Sequence, residues 1–215
     1  MSSNNPYRHA AQLYETNLRM PVVSRIRRDE ARVVGEFIAR HAEAAGRALE
    51  IGPGTGFYTC ALARSFREVL AIEEAPGMVA ILRGKLEAAG AQNVRIEQGD
   101  FRQSALDGAF DVAVAIGVLD YIAEPAEFVA KMCAAARRAV IVTAPQRGLL
   151  GRCFVAGGAM RKTRIYCYER EAIADWAPPL DRARGGTGWR CTLAEAGRVT
   201  GLMRGLTLVA AFERQ

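Results

Sequence analysis

Three glycines at every second position, Gly52, Gly54 and Gly56, follow the short run Leu49-Glu50-Ile51, whose two apolar residues end a buried strand. Glycine adopts positive φ and carries no Cβ, so such a turn lets a ligand approach the backbone closely. A helix beginning near Gly56 would aim free N–H groups at that ligand. Glu73-Glu74, Asp100-Phe101 and Gly117-Val118-Leu119-Asp120 are of types that could serve the same ligand. An acid about 20 residues beyond a glycine turn can hold both hydroxyls of a ribose, which fits Glu73. Asp100 can accept from an adenine amino group while the apolar Phe101 covers a ring face. The segment from Gly117 can bring backbone groups near a cofactor's reactive end. Together these residues describe a nucleotide-type cofactor site.

The spacing excludes the commonest cofactors of that type. A dinucleotide fingerprint runs G-x-G-x-x-G. In this chain the third glycine falls one residue early, and Phe57 stands where that fingerprint has glycine. No G-x-x-x-x-G-K-[ST] phosphate loop is present. The Glu50 carboxylate before the first glycine would repel a pyrophosphate and suits a cofactor with a cationic end. Taken singly, each feature has a plainer explanation: Glu73 or Asp100 could cap a helix or turn, Phe101 could be core, and the glycines could serve the turn alone. Their joint placement at four consecutive strand ends favours the site.

The elements that would position these residues alternate strand and helix, the pattern of a parallel sheet. Apolar Ile26, Val33, Val34, Phe37 and Ile38 predict an amphipathic helix over about 22–45. Strands are expected at 48–51, 68–72, 94–97, 110–116 and 139–144, with helices at 56–65, 77–89 and 125–136 between them. A helix over 169–176 and two last strands at about 189–193 and 206–212 complete the chain. The expected fold is α/β and Rossmann-like, with helices on both faces of the sheet, in one domain. Its parts are an N-terminal arm and helix (1–46), a cofactor-binding core (47–145), an insertion (146–188) and the C-terminal strands (189–215).

Composition narrows the class without naming a substrate. Half of the 215 residues are apolar and about a quarter are charged, as in an ordinary soluble domain. No apolar run approaches the roughly 18 to 20 residues of a membrane span, and the N-terminus has no signal-peptide core, so a cytoplasmic location is expected. Cys60, Cys133, Cys153, Cys167 and Cys191 are scattered and form no C-x-x-C pair. With His9 and His41 as the only histidines, no metal site is expected. The net charge of +6 fits an anionic substrate or acidic partner. Arg25-Ile26-Arg27-Arg28 reads as a solvated helix face.

The stretch from Leu49 to Pro145 resembles the cofactor-binding core of class I S-adenosylmethionine (SAM)-dependent methyltransferases. The resemblance rests on Leu49-Glu50-Ile51-Gly52-Pro53-Gly54-Thr55-Gly56, Ala71-Ile72-Glu73-Glu74-Ala75-Pro76-Gly77-Met78, Gly99-Asp100-Phe101 and Phe110-Asp111-Val112. It implies a seven-stranded sheet whose last strand inserts antiparallel beside strand five. It also implies SAM as cofactor, with Glu73 on the ribose, Glu74 beside it, Asp100 on the adenine amino group and Met78 packed on adenine. Glu50, Gly52, Gly54, Gly56, Phe101 and Gly117 complete the core contacts. In similar enzymes the segment before the first strand folds over the cofactor, which adds Tyr14.

The methyl acceptor is less determined. Candidates for a base are Tyr14, His9, Asp120 and Tyr121, and the catalytic group stays open among them. Methylation of exocyclic base amines usually goes with an Asn/Asp-Pro-Pro-aromatic motif after strand four, where this chain has Gly117-Val118-Leu119-Asp120-Tyr121. Cytosine C5 methylation needs a cysteine there or after strand five, yet the nearest match, Thr59-Cys60, lies in the wrong helix. No dense basic patch or RNA-binding module is visible. A small-molecule acceptor is favoured over a nucleic acid, and oxygen methylation over other kinds. The insertion mixes Phe154, Met160, Tyr166, Tyr168 and Trp176 with Arg147, Arg152, Arg161, Lys162 and Arg164, which suits an aromatic or apolar molecule bearing an acidic group. The order of arm, core and insertion is also similar to that of magnesium-protoporphyrin O-methyltransferases, a resemblance that implies a porphyrin-like carboxylate as one candidate acceptor. Two other readings remain: a SAM-binding sensor or partner subunit without catalysis, and an RNA methyltransferase. The sequence does not speak to oligomeric state.

Overall fold

Strands buried on both faces form the centre of the molecule. The computed structural model describes residues 21–42, 46–106, 110–147, 164–177, 188–198 and 205–215. In chain order its main elements are α1 (Pro21–His41), β1 (Arg47–Ile51), α2 (Thr59–Ser65), β2 (Glu68–Glu73), α3 (Pro76–Ala88), β3 (Val94–Gln98), β4 (Phe110–Ala115), α4 (Pro125–Ala135), β5 (Ala136–Pro145), α5 (Arg170–Ile173), β6 (Trp189–Ala196) and β7 (Thr207–Arg214). The strands form one seven-stranded sheet in the order β3-β2-β1-β4-β5-β7-β6. β1 to β5 pair in parallel. β7 runs antiparallel between β5 and β6, as the family resemblance implies.

The apolar, β-branched runs that predict strands are buried because helices cover both faces of the sheet, the usual state of parallel strands. On one face, Val33, Val34, Phe37 and Ile38 of α1 join Tyr58 and Leu62 and meet Val112, Val114, Ile141 and Val209 of the sheet. On the other, Phe128, Val129 and Met132 of α4 join Ile173 and Trp176 against Leu49, Val140, Val142 and Phe212. Ala75 and Met78 form a small separate cluster at the start of α3, backed by Ile81. No described helix is long and apolar enough to cross a membrane.

Element boundaries differ from expectation where backbone geometry decides them. The helix expected from Gly56 begins only at Thr59, because Gly56 has φ +86°, which a right-handed helix cannot contain. β5 begins at Ala136 rather than Ala139 and takes in Arg137 and Arg138. α1 runs from the end of the sheet where β1 and β4 finish to the opposite end. Near its start Ile26 lies by Gly197, just past β6. Its last residue, His41, bonds to Glu213 at the end of β7 (3.0 Å).

Candidate functional site

The glycine turn is held by its own amides. Gly52, Gly54 and Gly56 have φ of +63°, +58° and +86°. Their N–H groups donate to Ile72 O, Glu73 Oε2 and Pro53 O, each at 2.9 Å. A side chain at the first or third glycine would also crowd a neighbour. A Cβ on Gly52 would sit 2.6 Å from Val118 Cγ2, and one on Gly56 would sit 2.4 Å from Leu82 Cδ1. At Gly54 a Cβ would meet nothing within 4 Å, so the turn is open there.

Glu73 ends β2 directly beside that opening. Its buried carboxylate accepts from Gly54 N through Oε2 (2.9 Å) and from Ala75 N through Oε1 (2.8 Å). A carboxylate offers about four lone-pair sites, so two backbone bonds leave acceptor capacity for ribose hydroxyls. Burial raises its pKa, while these amides and that of Glu74 pull the other way. Met78 follows in the small apolar cluster with Ala75.

Glu50 is the penultimate residue of β1. It is buried, and its Oε2 has no hydrogen-bond partner. Burial pushes its pKa up to about 7; the neighbouring Thr59 works against the rise and the Glu73 charge adds to it. Among the described residues, the buried side-chain polar atoms without a partner are Glu50 Oε2, Thr55 Oγ1 and Thr59 Oγ1. All three belong to the segment from β1 to the start of α2. Leaving a buried polar group unpaired costs about 1–3 kcal/mol, and a polar or cationic ligand at this turn would remove that penalty. The residues present therefore fit a cofactor with a cationic end.

Asp100 and Phe101 have other partners. Asp100 caps the 3-10 turn Phe101–Gln103 through Arg102 N (2.9 Å) and holds the Arg102 guanidinium at 2.7 Å. That guanidinium keeps its carboxyl below the usual range. Phe101 lies in the core edge-on to Phe128, with ring centroids 5.1 Å apart. Gly117, with φ +70°, donates its N–H to the buried Thr143 hydroxyl at 2.7 Å, which ties the turn after β4 to β5.

A second group of side chains gathers where α1 reaches the end of β4, and Arg27, Glu30 and Tyr58 in it carried no functional signal in sequence. Glu30 of α1 accepts from the Tyr58 hydroxyl at 3.0 Å and from Arg27 at 3.1 Å. Arg27 is therefore not part of a fully solvated face, unlike the exposed Arg25 and Arg28. It also stands 5.8 Å from the centroid of Phe57, whose ring is 47% exposed. Asp120 lies in the 3-10 turn Leu119–Tyr121. Desolvation first, then the Glu30 charge, pushes its pKa up to about 7, with Arg27 opposing. Tyr121 shares this turn and is half-buried.

Of the insertion's aromatic residues, Tyr168 and Trp176 serve packing. The Tyr168 hydroxyl shares its one proton between Leu119 O (2.8 Å) and Ile122 O, and its ring meets Trp176 edge-on at 4.9 Å. Arg147 pairs with Glu169 at 3.3 Å, and Arg164 stands over Tyr166. His9, Tyr14, Arg152, Phe154, Met160, Arg161 and Lys162 lie outside the described residues.

Comparison with known proteins agrees with this fold. The magnesium protoporphyrin IX methyltransferase of Synechocystis PCC 6803, solved with bound S-adenosylhomocysteine, superposes with a TM-score of 0.72 over 97% of both chains at 17% identity. A SAM-dependent methyltransferase of Thermotoga maritima, described as a possible histamine N-methyltransferase, gives 0.67 over 98% of both chains at 15% identity. The chain thus has the fold of the class I SAM-dependent methyltransferases. Within it, residues 49–141 match the methyltransferase domain family. The protein-L-isoaspartate O-methyltransferase of Picosynechococcus sp. is 32% identical over 88 residues, 40% of either chain. The chain spans less than half the length of the curated relatives it matches.

Proposed function

We propose that the protein transfers a methyl group from SAM to a hydroxyl-bearing small organic acceptor. The observation that carries the cofactor assignment is the grouping of unpartnered buried polar atoms at the glycine turn beside the ribose-type acid Glu73. Glu50 meets the ammonium of the methionine end, Glu73 receives ribose hydroxyls, and Met78 backs the adenine. The names of the similar proteins span acceptors as different as protein L-isoaspartate and magnesium protoporphyrin IX. The acceptor is therefore argued from this chain's own residues.

When bound, SAM supplies an electrophilic methyl group, and the residues around it have to align a nucleophile and exclude water. Val118 packs against Gly52 and closes the turn from the β4 side. The exposed ring of Phe57 with Arg27 beside it offers a platform for an aromatic or apolar acceptor. Asp120, with its pKa near 7, is suited to take the proton that a hydroxyl loses as its oxygen bonds to the methyl carbon. A carboxylate acceptor would not need that base. An acidic group on the acceptor would be left to the basic residues of the insertion.

Calorimetric titration with SAM and with a nicotinamide dinucleotide tests the cofactor, and dinucleotide binding without SAM binding would refute it. A metabolite extract incubated with methyl-labelled SAM tests the transfer. Labelled products sensitive to mild base would mark a carboxylate ester and speak against the hydroxyl acceptor. SAM binding with no labelled product from any extract would favour a sensor.

A further inference from the structure

At the end of the sheet opposite the glycine turn, a pocket of about 530 Å³ is lined by His41, Arg137, Arg138, Arg190, Glu213, Arg214 and Gln215. It arises where β5 and β6 begin and where β7 and α1 end, so the topology gathers arginines that are far apart in the chain. Four arginines and one acidic side chain line it. That carboxylate is already engaged, since Glu213 Oε1 lies 3.0 Å from His41 Nε2 and Oε2 accepts from Thr192 Oγ1 at 3.3 Å. Arg137 is an exposed strand residue without an ion-pair partner among the described residues, and Arg190, also exposed, directs Nε and Nη2 to the Gln215 side-chain amide oxygen at 2.8 and 2.9 Å. Arg214 stands 5.8 Å from the Trp189 ring centroid.

Bringing like charges into one concave surface is unfavourable until an anion joins them. Guanidinium groups bind phosphate through paired N–H donors. The pocket volume falls within the range of small-ligand sites, about 300–1,000 Å³. We propose that this pocket binds a small anion carrying two or more phosphate groups, at a site separate from the methyl-transfer site. The surplus of positive charge favours a polyphosphate over a single carboxylate.

The test is calorimetric titration of the full chain with inorganic pyrophosphate, with Arg137→Gln/Arg190→Gln and Arg137→Lys/Arg190→Lys as variants. The expected result is saturable pyrophosphate binding that weakens at least about tenfold in the Gln variant and less in the Lys variant, because Lys keeps the charge but loses the fork. SAM affinity stays unchanged in both, so the outcome is independent of the cofactor assignment. Absence of pyrophosphate binding, or equal binding by wild type and the Gln variant, would overturn the proposal. So would binding of a single-stranded oligonucleotide that the Gln variant loses while pyrophosphate does not bind, since the ligand would then be a nucleic-acid backbone.

Discussion

Replacing Glu50 by Gln should change how the ligand-free protein's stability depends on pH. Glu50 is buried and its carboxyl is lifted from 4.5 to about 7. The folded state therefore holds this proton more tightly than the unfolded chain does. Stability from this group is fully present below the unfolded pKa of 4.5 and is lost as pH rises through about 7. At 1.36 kcal/mol per pKa unit, the gap corresponds to about 3 kcal/mol between pH 4 and pH 8. Gln keeps the shape and removes the titration, so the variant's stability should fall less over that interval by about this amount. Glu73 and Asp120 also titrate upward-shifted, but they do so in both proteins and largely cancel in the difference. The assay is urea denaturation followed by tryptophan fluorescence at several pH values, with and without SAM. Saturating SAM should stabilise the wild type most above pH 7, where the ionised carboxylate gains a cationic partner, and should help the Gln variant less. Equal pH slopes in the two ligand-free proteins would refute the reasoning.

Gly54→Val should weaken SAM binding strongly while costing only about 1–2 kcal/mol of stability from the left-handed backbone, because nothing lies within 4 Å of its Cβ position; titration and denaturant melts separate the two effects. Gly56→Ala should cost more stability, about 1–3 kcal/mol, since Leu82 must move as well, and a melt no lower than that of Gly54→Ala would contradict this. Asp120→Asn should lower kcat/KM by about 10²–10⁴ and abolish a rise in rate through pH 7; an unchanged pH profile in the labelled-methyl assay would remove Asp120 as the base. Tyr168→Phe should lose about 1–3 kcal/mol by removing the hydroxyl donor from the Ile122 carbonyl, while Leu119 O keeps the Ile122 amide; denaturation measures the loss.

The sheet was legible because parallel strands buried on both faces leave continuous apolar runs, and because the polar residues fall at their ends. Leu49, Val69 and Val112 are all fully buried, Glu73 ends its strand, and Asp100 and Gly117 follow theirs, as expected. Less legible was what depends on elements meeting through space. Glu30 sits in an ordinary amphipathic helix, and nothing in its neighbours indicates that Tyr58 and Arg27 will converge on it. The arginine pocket draws on positions 137, 138, 190 and 214, so no sequence window contains it. The Arg102 pairing of Asp100 is local, yet a two-residue separation gives no hint that the guanidinium folds back.

The spacing of the glycines and the fate of their amides are two sides of one constraint. In a dinucleotide loop, free N–H groups at a helix N-terminus face a pyrophosphate. Here Gly52, Gly54 and Gly56 each donate to an oxygen of the protein, and their positive φ values delay α2 until Thr59. The amides of the three glycines are therefore not available to a phosphate. The oxygen that takes the middle amide belongs to Glu73, so the turn positions the ribose-type acid instead. With the Glu50 carboxyl beneath it, an anionic pyrophosphate would meet two acids and no donor from these glycines. A cofactor with a ribose and a cationic end meets what is there. The missing residue in the spacing thus changes the ligand by changing which atoms the backbone serves.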